Sequence, residues 1–340
     1  MSTMLSATTT GGATGPGAAS RRLLVHIIAF VIFAGVPLFA ALVGEPFMIS
    51  LFTRFLIYAV AAVSLDLVMG YGALISFGHA AFFGLGGYVV GIVAHHGAET
   101  GTLFGIATSN SALIIWPVAV VLSAVLALII GGLSLRTTGV QFIMITLAFG
   151  QMVYFLLVSL EVYGGDDGLL IGQRNSLPLI DTADPVSFYY LCLAVLALWL
   201  GFCWRLVGSR FGMVLRGLKQ NQRRAVNLGF APLPHRLAAF VISGAGTGLA
   251  GVLWANYALY VSPDMAAWSK SGEFMSIVIL GGVGTLFGPV IGAAVFLGLE
   301  QILAIWTEHW MLVMGPVLVA VVLFARRGLY GFLVGDRSHD

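Results

Sequence analysis

Apolar runs of about twenty residues recur along this chain, each closed by a short polar or glycine-rich break, and this spacing constrains the fold more than any other feature. A hydrocarbon layer of about 30 Å takes about 20 apolar residues to cross as a helix. On that template, spans fall near 23–43, 51–69, 76–95, 113–134, 139–160, 186–207 and 237–258, followed by a glycine-rich region 274–304 and a last run 310–325. Composition agrees, with 59% of residues hydrophobic and 9% charged, where a soluble domain has roughly a quarter charged. The expected fold is an all-α membrane protein, a polytopic helical bundle of about eight to ten spans. Residues 1–20 are small and polar without periodicity and are expected to be a disordered tail. Arg21 and Arg22 precede a run too long for a secretory signal, so 23–43 is the first span. The transmembrane domain is expected over 21–330, with a cytoplasmic loop at 205–236 and a short C-terminal tail at 331–340.

Charge is sorted by loop, and the positive-inside rule uses that sorting to set orientation. With the N-terminus cytoplasmic, Arg21, Arg22, Arg136, the seven basic residues of 205–236, Arg326, Arg327 and Arg337 are all inside, 13 of 16. Glu45, Glu99, Glu161, Asp166, Asp167, Asp181, Asp184, Asp264 and Glu308 fall in outer loops. A single crossing at 274–304 would leave Arg326 and Arg327 outside. A re-entrant pair, with Phe274–Gly282 entering and Pro289–Leu303 returning around a bend at Gly281–Gly284, restores the C-terminus to the cytoplasm.

Broken helices at membrane depth are tolerated only where they are buried in protein or line a water-filled path. Gly281, Gly282, Gly284 and Gly288 are therefore candidates for the wall of a translocation pathway. The second glycine-rich stretch, Gly70 to Gly91, has the same character and places Ser76, Gly78 and His79 at membrane depth. Close helix packing is the competing explanation. It applies most directly to Gly284, Gly288 and Gly292, which at four-residue spacing would share one helix face, and to Gly244 with Gly248.

Little in the chain suggests catalysis. It has no GxxxxGK[ST] loop, HExxH, GxSxG or CxxC. Cys192 and Cys203 share one apolar run and read as packed thiols, and His95–His96 sits at a membrane exit, so neither a disulfide nor a metal site is expected. Asp66 is the sharpest intramembrane charge. It reads either as a proton or ion relay or a gate, or as an interfacial carboxylate that reaches water or caps the following turn. Arg54, at the other end of the same run, can snorkel outward.

The segment Arg205–Arg236 is a basic island in the apolar chain. Phe211–Leu228 suits a short helix with Arg216, Lys219, Gln220, Arg223 and Asn227 on one face and Val214, Leu218 and Ala225 on another. Gly229 stops it, and Pro232 and Pro234 prevent continuation. Such a helix could lie on anionic lipid or contact a partner. No Asp or Glu occurs between Val207 and Pro263, so a partner face would be acidic or amide-rich.

Over residues 55–330 the chain resembles the M-type permease subunit of bacterial ABC importers for branched-chain amino acids. The resemblance rests on GYGALISFGHAAFFGLGGY at 70–88, GGDDGL at 164–169, RFGMVLRGLKQNQRRAVNLGF at 210–230, YVSPDMAAWSKSGEFMSIVILGGVGTLFGPVIGA at 260–293 and RRGLYG at 326–331. It implies a multi-pass inner-membrane subunit with cytoplasmic termini. Its partners would be an H-type permease subunit, two cytoplasmic ATPases and a periplasmic substrate-binding protein, with ATP bound on the ATPases and no cofactor or catalytic residue in this chain. It also implies that a coupling helix contacts the ATPase, here through Arg216, Lys219, Gln220, Arg223, Ala225 and Gly229. The family's Glu-Asn-Glu-x-x-Ala-x-x-x-Gly pattern falls on Gln220, Asn221, Gln222, Ala225 and Gly229, with both carboxylates replaced by amides. Leu74 stands where the family has Gln, and Asp166 where it has Ser. Import of urea or a short amide, proton-coupled transport through Asp66 and a purely structural membrane subunit are the alternative readings.

Overall fold

The structure, a computed structural model, describes residues 16–99, 102–103, 106–107, 110–178, 180–307, 309–324 and 328–334. The apolar runs fold as helices: α1 (Pro16–Val43), α2 (Phe47–Asp66), α3 (His79–Glu99), α4 (Ala112–Ser134), α5 (Val140–Val158) and α6 (Pro185–Gly208). The basic segment gives α7 (Arg210–Gln220) and α8 (Gln222–Asn227). Beyond it come α9 (Pro232–Ala258), α10 (Trp268–Gly281), α11 (Gly288–Trp306), α12 (Trp310–Phe324) and α13 (Gly328–Val334). Among the described residues seven helices are long and apolar enough to cross a membrane, and Ile28–Val43 and Met311–Val321 add two shorter apolar stretches. The expected all-α polytopic bundle is what forms. Residues 1–15 of the expected tail, Glu308, Arg326, Arg327 and Arg337 lie outside the described residues, and Pro16–Ser20 begin α1.

The bundle is built around α2, α3 and α9. Every residue from Phe55 to Gly70 is buried, because small side chains on the neighbouring helices let backbones approach. A Cβ on Gly86 of α3 would strike the Gly248 carbonyl of α9, and one on Gly251 would strike the Phe83 carbonyl of α3. Gly244 and Gly248 likewise face Ala127 and Ser123 of α4, so this pair serves helix packing. The outside is apolar instead: Leu113, Ile114, Val121, Met144, Met152, Phe155 and Leu198 are exposed, as hydrocarbon surroundings require.

Several polar groups inside the bundle are satisfied within the chain. Pro37 has no N–H, which frees the carbonyl four residues earlier. That carbonyl, Phe33, accepts from the Tyr189 hydroxyl of α6 at 2.5 Å. Tyr189→Phe is expected to cost about 1 kcal/mol by leaving a buried acceptor unmade, read as a lower unfolding temperature in detergent. Thr53, Ser64 and Thr247 bond back to the carbonyls of Ile49, Val60 and Ser243, one turn earlier.

Basic and acidic residues collect at opposite ends of the bundle. At the Asp66 end of α2 lie the α4–α5 turn with Arg136 and the α6–α9 connection with Arg205, Arg210, Arg216, Lys219, Arg223, Arg224 and Arg236. At the Phe47 end lie Glu45 and the connection 159–184 with Glu161, Asp166, Asp167, Asp181 and Asp184. That connection is fixed by side chains. Asn175 N–H donates to Asn256 Oδ1 at 2.7 Å, and Arg174 donates to the Asn256 and Thr182 carbonyls and stacks over Phe188. Asp184 caps α6 by accepting from the Ser187 N–H and hydroxyl, and these bonds hold its carboxyl below the usual range. Leu169–Leu170 pairs antiparallel with Tyr260–Val261, tying GGDDGL to the segment after α9.

Candidate functional site

Two interruptions of the helical backbone lie within the bundle. The first follows α2, which ends in a π-helical turn, Leu67–Tyr71, before the chain runs non-helically to the start of α3 at His79. Ala73 adopts a left-handed φ of 54°. Three N–H groups find partners: Leu74 on the Val68 carbonyl at 3.1 Å, Phe77 on Thr146 Oγ1 of α5 at 3.3 Å, and Gly78 on Ser76 Oγ at 3.2 Å. Ala73 and Ile75 face outward, whereas Ser76, Gly78 and His79 are buried.

The buried residues are held by neighbouring helices. Ser243 Oγ of α9 donates its one proton to the Ser64 carbonyl at 2.5 Å, so His79 Nε2, 2.8 Å from that oxygen, is the donor. His79 Nδ1 is buried without a hydrogen-bond partner. Phe82 and Phe240 stand edge-on to the ring, and a Cβ on Gly78 would approach the Thr146 carbonyl to 2.9 Å. Leu74 packs with Val68, Phe82 and Phe142, so the departure from the family's Gln serves the core and not an exposed wall.

The second interruption is the bend between α10 and α11. α10, at 14 residues, is about 21 Å long. It runs from the level of Tyr58, whose hydroxyl meets Lys270 Nζ at 3.2 Å, to the Asp66 end of α2. α11 returns so that Glu300 meets Arg54, near the start of α2, at 2.8 Å. The two helices form a hairpin, as the charge sorting expected. Gly282 and Gly284 have φ of 121° and 80°, conformations that only glycine adopts at low cost. Gly284 thus lies in the bend, and only Gly288 and Gly292 share the face of α11 expected for all three. A Cβ on Gly281 would strike the Gly288 carbonyl, and one on Gly292 the Ile277 carbonyl, so the α10–α11 contact is made by glycine.

Asp66 joins the two interruptions. It is fully buried and does not reach water as an interfacial carboxylate: Oδ1 accepts from the Gly284 N–H at 2.7 Å, and Oδ2 has no hydrogen-bond partner. Arg54, expected to snorkel, is instead paired with Glu300. Sequence reasoning missed Glu300, Lys270 with Glu273, Asn175 with Asn256, and Thr146. Only Lys270 and Glu273, three residues apart on α10, carry a local signal in their spacing.

The basic segment differs from the single helix expected over Phe211–Leu228. Asn221 is extended (φ −156°) and its side chain accepts from the Arg224 N–H, capping α8 and ending α7. Arg216, Lys219 and Gln220 therefore lie on one helix and Arg223 and Asn227 on another. Arg216 donates to the Gly212 and Val207 carbonyls, and Lys219 Nζ donates to the Gly70 carbonyl at 2.6 Å. Ala225 is buried, while Gln220 and Arg223 are exposed. Gly229, with φ of 88°, ends α8 as expected, but Pro232 then opens α9 at a position where its missing N–H costs nothing. Between α7 and α8 lies a cavity of about 640 Å³ lined by Arg210, Met213, Asn221, Arg224, Leu228 and Phe230, among others.

Among the described residues no group of His, Cys, Asp or Glu could hold a metal, and Cys192 and Cys203 are separate buried thiols. A multi-pass helical bundle with two interrupted segments joined at a buried carboxylate, and a cationic helical loop at one end, defines a membrane transport protein. The chain belongs to the family described as "Branched-chain amino acid transport system / permease component", whose model matches residues 47–322. It is 27% identical to the high-affinity branched-chain amino acid transport system permease protein LivM of Salmonella typhimurium, over 84% of this chain and 72% of that protein. The same protein of Escherichia coli K12 is 27% identical, over 86% and 73%. The probable branched-chain amino acid transport permease protein LivM of Methanocaldococcus jannaschii is 23% identical, over 79% and 86%. No solved structure matches the chain significantly.

Proposed function

We propose that this chain is one of two membrane subunits of an ATP-driven importer that passes a branched-chain or similarly hydrophobic amino acid from a periplasmic binding protein to the cytoplasm. One observation carries the reading of a pathway: the non-helical stretch Gly72–Gly78, which turns Ala73 and Ile75 outward beside α5. Irregular backbone at membrane depth requires cover by protein or water, and a second permease subunit of the H type, with the pathway between the two, supplies both. Ser76, Gly78 and His79 shape that wall from behind, and Gly281, Gly282, Gly284 and Gly288 hold the bend that meets it. The apolar character of Ala73 and Ile75 suits an aliphatic side chain better than urea.

The charge distribution supports a cytoplasmic Asp66 end in a bacterial inner membrane. α1 begins and α13 lies at that end, which supports cytoplasmic termini. The exposed cationic surface of α7 and α8, with Gln220, Arg223 and the cavity beside them, suits docking to an ATPase subunit, which would bind and hydrolyse the ATP. In proteoliposomes holding the complete complex and its binding protein, labelled leucine is expected to accumulate only with ATP. Uptake should persist when the proton gradient is collapsed or Asp66 is changed to Asn, and excess urea should not compete. Uptake that follows the proton gradient without ATP would overturn this reading in favour of secondary transport.

A further inference from the structure

The loop helices and the two interrupted segments meet at one junction. Lys219, near the end of α7, donates to the carbonyl of Gly70 in the π-helical turn, where widened helical bonding leaves carbonyls open to outside donors. The same turn is fastened to the α10–α11 bend by two contacts. Asp66 accepts from Gly284, and the Gly70 and Gly284 backbones lie too close for any Cβ at Gly70. The bend in turn abuts Gly328 at the start of α13.

The remaining ties differ in kind. Arg216 bonds within α7 and to the end of α6, Phe211 stacks on His235 of α9, and Leu215 and Leu218 are buried. Apolar contacts slide with little directional preference, whereas a hydrogen bond from an ammonium group is charge-assisted and fixes a separation. A displacement of α7 is therefore passed to Gly70 through Lys219, and from Gly70 to both interruptions at once.

We propose that Lys219 is the positioning residue that transmits movement of α7 and α8 to the Gly70–His79 and Gly281–Gly288 segments. The proposal rests on the importer reading above. In the reconstituted complex, Lys219→Met keeps the aliphatic stem and removes the ammonium, while Lys219→Arg keeps a charged donor. Complex recovery, ATP hydrolysis and amino acid transported per ATP hydrolysed are measured for each. Lys219→Met is expected to assemble and hydrolyse ATP while transport per ATP falls about tenfold, the smallest factor lost with a hydrogen bond to a charged group. Lys219→Arg should recover most of that ratio. An unchanged ratio in Lys219→Met, or loss of assembly in both variants, would overturn the proposal. Absence of ATP-driven uptake by the unmodified complex would overturn the importer reading instead.

Discussion

Gly251→Val is expected to remove most of the folded protein from the membrane fraction. A Cβ at this position falls inside the contact radius of the Phe83 carbonyl oxygen, and a backbone atom cannot rotate away as a side chain can. α3 and α9 would have to separate, and with them the Gly86–Gly248 approach on the same interface. Overpacking typically costs roughly 1–3 kcal/mol and more where the backbone must shift, a large fraction of the stability of a folded domain. Yield of monodisperse protein in detergent and its unfolding temperature are the measurements. Gly132→Ala, on a neighbouring helix with nothing within 4 Å of the added carbon, should match the unmodified protein. Equal loss in both would mean that glycine content, not close approach, matters.

Gly70→Ala is expected to cut transport about tenfold or more even where the chain still folds. Its Cβ would lie against Asp66 Oδ1 and the Gly284 N–H, the two atoms of the bond that joins α2 to the α10–α11 bend. Either that bond breaks or the bend moves, at a cost of roughly 1–3 kcal/mol, and the Gly70 carbonyl that receives Lys219 moves with it. Uptake should fall by about tenfold or more, with a modest drop in unfolding temperature. Gly272→Ala, in α10 with open space around the new carbon, should retain uptake. Normal uptake by Gly70→Ala would show that the junction tolerates movement and has no part in access.

Much of the architecture was legible because the bilayer imposes a length on every apolar run. The runs near 51–69, 113–134, 139–160 and 186–207 appear as α2, α4, α5 and α6 within a few residues. The hairpin of α10 and α11 was legible by a different route, since a cytoplasmic Arg326 and Arg327 required an odd net number of crossings after α9, which a re-entrant pair followed by α12 supplies. The break at Asn221 was not, because amphipathic periodicity continues through it. An N-cap is set by one side chain bonding to one N–H, which a pattern averaged over three turns does not resolve. Asp66 drew attention as an intramembrane charge, but its partner, Gly284, is a backbone amide far along the chain and carries no sequence signature.

What the sequence determined by itself was the helical class, the order of the long spans, the sorting of charge to opposite ends and the two places where glycine interrupts a helix. These follow from transfer energies and chain length, which are local properties. The tertiary structure decided the use of each interruption. It set Gly86, Gly251, Gly281 and Gly292 against neighbouring backbone carbonyls, paired Arg54 with Glu300, bonded Lys219 to the Gly70 carbonyl and closed Asp66 onto Gly284. Those contacts depend on which helices lie side by side, and that arrangement is set by summed packing over the whole bundle and not by any single segment.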